Sequence, residues 1–365
     1  MLDQRTAMTD NPVPFSCNVC SHTNFARAVT RGDGRRVLFC ESCGMGVIEA
    51  PPDDTSVFYG DDYYGKDESE TIGYADYAFT AEHGLLWVQL LVQTLKPAGR
   101  VLDIGCADGF LLRKLGNAYE KFGIEVNKKA ADKAAAAGVT LVADDVFAPA
   151  VTEQLAGSLD VVTSIATFEH VLDLKRAFTD ALSLLKPDGV LVFEIPLISD
   201  TRDNNDWFNG SYEHIYYPTI PGLERLFSSF DDVSVSGFES DIKGYGSTYI
   251  GVATRQRELA SKVDRLVSAM KQSDLQGLTE DEKALNLAYN VVHSFNPTPE
   301  RVLALPVLID RAYSLAVVTR LTQLWYADSV NAVNAEWYEG QAKNWRDAYE
   351  QLEKMMRSRD AGAQP

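Results

Sequence analysis

The chain has 365 residues, too many for one average domain, and its 45% hydrophobic and 24% charged content is that of an ordinary globular protein. Asp and Glu outnumber Lys and Arg by 52 to 34, a net charge of −18, which disfavours nucleic acid as a partner because phosphate binding needs an excess of cations on the binding face. The opening MLDQRTAMTD lacks the apolar run of a secretory signal, and the most apolar late stretch, Val302 to Leu321, is interrupted by Asp310, Arg311 and Arg320, so no membrane span is expected and the cytoplasm is the expected compartment.

Residues 1–14 read as a flexible lead. Cys17-x2-Cys20 and Cys40-x2-Cys43 follow, with 19 residues between the pairs. Two CxxC turns can close four thiolates around one tetrahedral zinc ion, and a filled four-cysteine shell has no open position for water. Cys17, Cys20, Cys40 and Cys43 are therefore expected to hold a structural Zn2+ in a knuckle over residues 12–52. Nothing nearby is thioredoxin-like, which sets aside two redox dithiols. His22 is surplus to the shell and reads as a surface residue. Arg27, Arg31, Arg35 and Arg36 make the module locally basic and read as a solvated face. Pro51-Pro52-Asp53-Asp54 is a turn and a boundary. A tyrosine-rich linker spans 53–80, with Tyr59, Tyr63, Tyr64, Tyr74 and Tyr77.

From Ala81 to about residue 254, helical and strand patterns alternate. His83 to Leu95 predicts a helix ended by Lys96-Pro97, and Arg100 to Ile104 a buried strand. A helix over Gly109 to Leu115, a strand over Lys121 to Val126, a helix over Asn127 to Ala137 and a strand over Val139 to Ala143 come next. Leu159 to Ile165 is a fourth strand, followed by a helix to Leu185. Pro187-Asp188-Gly189 turns into a fifth strand, Val190 to Ile195. Val233 to Val235 and Thr248 to Ala253 suit a hairpin at one sheet edge. This alternation predicts a parallel sheet covered on both faces. From residue 255 to 360 the pattern is helical, over Arg257 to Met270, Glu280 to His293, Pro299 to Asp328 and Val333 to Arg357. Trp325, Trp337 and Trp345 there favour a homo-oligomer or protein-partner contact, with internal packing as the alternative.

The most informative segment is Val101-Leu102-Asp103-Ile104-Gly105-Cys106-Ala107-Asp108-Gly109-Phe110. A buried strand ends in a glycine-bearing turn and a helix follows. A dinucleotide fingerprint requires G-x-G-x-x-G, but position 107 is Ala and position 110 is Phe. Asp103 and Asp108 would also repel a pyrophosphate, whereas they suit a ligand bearing an ammonium and a sulfonium. Twenty residues after Gly105, Glu125 can accept ribose hydroxyls, and Asp144-Asp145 can bond an adenine amine. All of these groups fall at the carboxyl ends of strands, where ligands of open parallel sheets bind.

Residues 97–253 thereby resemble the class I S-adenosylmethionine (SAM)-dependent methyltransferases. VLDIGCADGF resembles their first motif, IEV ending in Glu125 their second, Asp144-Asp145 the third, DVVTSIATFEH the fourth and LLKPDGVLVFEIP the fifth. The resemblance implies an α/β fold, a Rossmann-like sheet with a small N-terminal zinc ribbon and a C-terminal α-helical region. It implies SAM as cofactor, contacted by Asp103, Gly105, Cys106, Ala107, Gly109, Phe110, Glu125, Asp144, Asp145 and Tyr64. The knuckle, the FYGDDYY segment and this domain together resemble bacterial zinc-knuckle methyltransferases, many of which modify sugars. In the sugar C-methyltransferases of that group an E-H-x-x-Y-[FY] segment supplies the base, and Glu213-His214-Ile215-Tyr216-Tyr217 is similar to it. The chain departs from that group in having Ser211 where a tyrosine is usual, and in being helical where a second α/β domain is usual.

A sugar hydroxyl is a poor nucleophile, so a base should take its proton as it attacks. His214, oriented by Glu213, is the expected base, and His170 the expected pocket wall. Tyr59, Tyr63, Tyr64 and Tyr77 form either a lid over the cofactor or packing between modules. Asp200, Asp203 and Asp206 read as a solvated loop, with a divalent cation site as the alternative. The expected acceptor is a small molecule or glycan. The competing readings are a zinc-ribbon rRNA or tRNA methyltransferase and an assembly scaffold that keeps the fold.

Overall fold

The computed structural model describes residues 16–60, 63–64, 77, 81, 84–198, 205–242, 246–272 and 276–293. The helices expected over Pro299 to Asp328 and Val333 to Arg357, with their three tryptophans, lie outside those residues. So do Asp200, Asp203, Tyr74 and much of the tyrosine-rich segment.

Two sheets organise the chain. The smaller is the cysteine-bearing ribbon: β1 (Phe25–Thr30), β2 (Arg36–Cys40) and β3 (Gly46–Ile48), all antiparallel. Its fourth strand comes from far along the chain. β9 (Tyr216–Tyr217) pairs antiparallel with β3, in the register Val47 to Tyr216 and Gly46 to Tyr217.

The larger sheet holds β4 (Gly99–Ile104), β5 (Tyr119–Ile124), β6 (Thr140–Ala143), β7 (Leu159–Ile165), β8 (Leu185–Pro196), β10 (Ser234–Ile242) and β11 (Gly246–Thr254). Their order is β10-β11-β8-β7-β4-β5-β6, parallel from β8 to β6 and closed at the other edge by the antiparallel β10–β11 hairpin. This is the Rossmann-like sheet the motifs predict. The apolar runs Val101-Leu102 and Val190 to Phe193 are buried, as central strands covered on both faces must be.

One face is covered by α1 (Leu86–Leu95), α8 (Arg257–Met270) and α9 (Glu280–His293), whose Trp87, Leu91, Val263, Met270 and Leu285 pack on Val101, Val192 and Val252. Asn286 on α9 donates to the carbonyls of Ala269 (2.7 Å) and Gln272 (2.9 Å), satisfying groups that the end of α8 leaves open. The other face carries α4 (Pro149–Leu155), α5 (Leu174–Leu184) and α7 (Ile220–Phe227). Here Phe168, Phe178 and Phe193 join one continuous core with Val37, Ile48 and Met45 of the ribbon. The helices α2 (Phe110–Lys114) and α3 (Lys128–Ala136) flank β4 and β5, and α6 (Asn205–Gly210) precedes β9. Asn127, Asp173 and Thr219 cap α3, α5 and α7, each through its side-chain oxygen.

Three expectations change. β8 begins at Leu185, so Pro187-Asp188-Gly189 lies within the strand at a register irregularity opposite Leu159 and Val161. No element is expected over Pro149–Leu155, Tyr216–Tyr217 or Ile220–Phe227, yet α4, β9 and α7 form there. Arg31 is not a solvated residue but 2% exposed, with its guanidinium turned inward.

Phe193 is fully buried against Phe178, Phe227 and Tyr249, with ring centroids 5.0, 5.6 and 5.9 Å away. Phe193→Ala should cost about 3–5 kcal/mol in urea unfolding; a loss below about 1 kcal/mol would mean the core collapses to fill the space.

Candidate active site

The turn after β4 is held by backbone geometry. Gly105 has φ 76°, and a β-carbon there would lie 2.3 Å from Thr167 Oγ1. Gly109, at the N-cap of α2, instead faces Val139 and Ala134 of the β5–β6 crossover, so its missing side chain makes room for protein and not for a ligand. Cys106 is buried with its sulfur against Gly123, and burial pushes its thiol up. Only its backbone stands at the turn, where its N–H donates to Ile124 O. Phe110 packs under the Arg113 guanidinium at 4.2 Å and near Tyr77 at 6.2 Å.

Beside this turn lies a cavity of about 390 Å³, lined on one side by Gly105, Glu125, Asp144, Asp145 and Phe147. The Glu125 carboxylate, just beyond β5, accepts from Ala107 N (2.8 Å) and Asn127 N (2.7 Å), and Tyr64 Oη donates to it at 3.4 Å. Burial nevertheless raises its pKa. Asp103 accepts from Thr163 Oγ1 at 2.6 Å, yet burial, reinforced by the charge of Glu125, pushes it up to about 7. Asp108 is also raised by burial, and its Oδ1 is buried without a hydrogen bond. Asp145 accepts from Phe147 N at 2.8 Å. The turn thus gathers three carboxyl groups whose charged forms burial disfavours.

The opposite wall is formed by Thr167, His170, Val171, Leu172 and Tyr59. His170 sits in the single 3-10 turn after β7. Its Nδ1 is 2.7 Å from Tyr59 Oη, and its Nε2 is 3.2 Å from Glu169 Oε1. Burial lowers its basicity, but Glu169 and Glu213 more than offset that, leaving its pKa raised. His214 lies behind it, with ring centroids 4.9 Å apart and its Nε2 3.8 Å from the same Glu169 oxygen. Burial, then the charges of His170 and Arg31, holds His214 well below the ordinary imidazole value. Glu213 accepts from Tyr63 Oη at 3.3 Å. Glu169, His170 and His214 bring three ligand-type atoms within 4.8 Å of one another. Of these three, the His170–Glu169 pair is within hydrogen-bond distance and the His214–Glu169 pair is not.

The structure therefore brings the two Glu-His pairs together, as the sequence alone could not show. It keeps His170 on the cavity wall, as expected, and departs from expectation only for the other pair. His170 lines the cavity; His214 and Glu213 do not, because β9 holds their segment against the ribbon and Trp207 covers the His214 ring at 5.5 Å. Tyr59 and Tyr63, 4.8 Å apart, and Tyr64 and Tyr77, 4.6 Å apart, make a continuous aromatic wall.

In the ribbon, Cys17 and Cys43 sulfurs are 3.6 Å apart and those of Cys20 and Cys40 are 3.5 Å apart. Thiolates ~2.3 Å from a tetrahedral zinc stand roughly 3.8 Å from one another, so the donor set fits that ion. His22 is not needed.

Residues 81–231 match the family model described as a methyltransferase domain. Within those bounds the chain is similar to methyltransferase domains. Over 113 residues it is 34% identical to the ubiquinone biosynthesis O-methyltransferase of Ralstonia nicotianae, covering 29% of this chain and 46% of that protein. The corresponding enzyme of Methylococcus capsulatus is 30% identical over 114 residues, 30% of this chain and 48% of that protein. The chain thus spans about half the length of these curated relatives. Among solved structures, a SAM-dependent methyltransferase of Thermotoga maritima is similar at 20% identity and TM-score 0.38, over 49% of this chain and 93% of that one. One from Archaeoglobus fulgidus is similar at 18% and 0.38, over 49% and 99%. No helix among the described residues is long and apolar enough to cross a membrane.

The buried acids make a stability prediction. Asp103 has its folded pKa raised above its unfolded value near 4, so the folded state holds a proton that the unfolded state releases. Ligand-free stability is therefore lost as pH rises from about 4 to about 7 and stays lower above it. Asp103→Asn should raise stability by on the order of 2 kcal/mol at pH 8 and by little at pH 4. Equal effects at both pH values in denaturant melts would contradict this.

Proposed function

We propose that the protein transfers the methyl group of SAM to a hydroxyl of a sugar, nucleotide-linked or on a glycan. One observation carries the reading: an acidic cavity that ends on a carboxylate-paired histidine. Its described lining includes Asp54, Glu125, Asp144 and Asp145 but no Lys or Arg. That wall disfavours phosphate and favours a ligand bearing an ammonium and a sulfonium. The residues present fit SAM: Glu125 is placed for ribose hydroxyls, Asp144 and Asp145 for the adenine edge, and Asp103 with the Gly105 turn for the cationic end. When bound, SAM supplies a methyl carbon activated by positive sulfur.

The chain's own residues supply the base. As the acceptor oxygen forms its bond to carbon, its proton must leave. Tyr59 Oη faces the cavity and bonds His170 Nδ1, whose other nitrogen is turned to Glu169. A proton passing to the Tyr59 oxygen, with the tyrosine's own proton moving to His170 Nδ1, ends as an imidazolium stabilised by Glu169. His214 and Glu213 stand behind as a second pair that orients the first. The aromatic wall and Val171 exclude water from the sulfonium.

A second reading, a phenolic acceptor, is favoured by the relatives' function in ubiquinone biosynthesis and by the apolar Ile165, Val171 and Leu172 on the acceptor side. Methylation of RNA is disfavoured by the acidic lining and the net charge.

Calorimetric titration with SAM, followed by SAM-consumption assays across nucleotide sugars and catechols, decides between these. Absence of SAM binding would end the enzymatic reading, and turnover of catechols alone would replace the sugar. Glu125→Ala should weaken SAM binding about 10-fold or more. His170→Gln should lower kcat by roughly 10²–10⁴ with SAM affinity nearly unchanged. Because carboxylates raise His170, turnover should climb with pH through that raised value. Glu169→Gln, which removes the negative charge, should move the midpoint to lower pH; an unmoved profile would place the base elsewhere.

A further inference from the structure

Arg31 belongs to the ribbon, in the turn between β1 and β2, yet its guanidinium is divided between the interior and Asp33 of the same turn. Nη1 donates to His214 O and Tyr217 Oη, both at 2.9 Å, and Nη2 donates to Tyr212 O at 3.0 Å. Nε donates to Asp33 Oδ1 at 3.1 Å, and Nη2 also pairs with the other Asp33 oxygen. The next residue, Gly32, donates to Phe208 O at 3.1 Å, and a β-carbon at Gly32 would lie 2.3 Å from Tyr212 Oη. The two carbonyls that Arg31 grips, Tyr212 and His214, flank Glu213. A buried arginine with a planar fork of donors is suited to fix backbone carbonyls of an irregular segment, which otherwise have no partner.

The same segment is fastened on its far side by the ribbon. β3 pairs with β9, Ile48 N donates to Ile215 O at 2.9 Å, and Thr219 Oγ1 donates to Gly44 O at 3.2 Å. From the other direction Ile215 N donates to Glu169 O at 2.9 Å. The donor side of the cavity, by contrast, is built from β4, β5 and their turns: Asp103 bonds Thr163, and Glu125 bonds Ala107, Asn127 and Tyr64, none of them in the ribbon.

We infer that Arg31 is a positioning residue for the Glu213-His214 pair, gripping the carbonyls on both sides of Glu213, so that the ribbon forms part of the acceptor side of the site and not of the SAM side. The inference rests on the proposed function only for its effect on turnover. The placement of the two side chains is measured independently of any acceptor.

The test uses the full-length zinc-loaded protein with isotope-labelled histidine. The chain has five histidines, so each imidazole can be followed by NMR through a pH titration. His214 is faced by Glu169 and His170 from the turn after β7, by Glu213 beside it, by Tyr217 on β9 and by Arg31; the Trp207 ring over it is uncharged. Arg31→Gln should displace the His214 signals and raise its titration midpoint, since a neighbouring cation is lost. His22 should not move, zinc should remain at one per chain, and SAM affinity should change by less than about twofold. Arg31→Lys keeps the charge but not the fork. It should hold the midpoint low while the His214 signals still shift, and any kcat found for the parent should fall in both variants with little change in SAM KM. Unchanged His214 signals in Arg31→Gln would overturn the inference. So would a fall in SAM affinity in step with zinc loss, which would reduce Arg31 to holding the ribbon's fold. Should Arg31→Gln not fold, Arg31→Lys carries the same measurement. Loss of His214 order with no methyl transfer in the parent would leave the inference standing and sink only the proposed activity.

Discussion

Negative charge held in a place that does not stabilise it governs this molecule. Asp103, Glu125 and Asp108 are gathered where β4 and β5 end, and burial raises all three. The fold tolerates them because Thr163, Ala107 N and Asn127 N each donate one hydrogen bond. Those bonds leave the carboxylates correctly aimed but under-compensated. In the proposed function, a ligand with positive charge would complete the arrangement without rearranging the backbone.

The parallel sheet was legible because its signals are local. Val101 to Ile104, Leu159 to Ile165 and Val190 to Ile195 are apolar runs of strand length, and the glycine-bearing turn and Glu125 follow at fixed offsets. The four cysteines were legible for the same reason. What could not be read is long-range. Nothing in Tyr216-Tyr217 shows that it will pair with Val47 and Gly46, and nothing in Arg31 distinguishes it from the exposed Arg35 and Arg36. The order of the two histidines is of this kind too. Both Glu-His pairs stood out as chemistry, but which one faces the cavity is decided by the β3–β9 pairing and by Trp207.

Gly109 and Cys106 teach a related lesson. A ligand motif is also a packing motif: Gly109 admits Ala134 and Val139, and the Cys106 sulfur fills the space left by Gly123. Residues within one signature therefore act through different neighbours, and only their backbones share the turn.

β9 sits in the ribbon's sheet although the chain reaches it only after five of the seven strands of the larger sheet. The ribbon is consequently not a detachable cassette. Severed at Pro51, the remaining protein would present the open edge of Tyr216 and Tyr217, with Ile215 beside it, to any other chain able to add a strand. Exchange of ribbons between related proteins would then succeed only when both halves of that edge travel together, which ties the inheritance of the cysteines to that of the segment around His214.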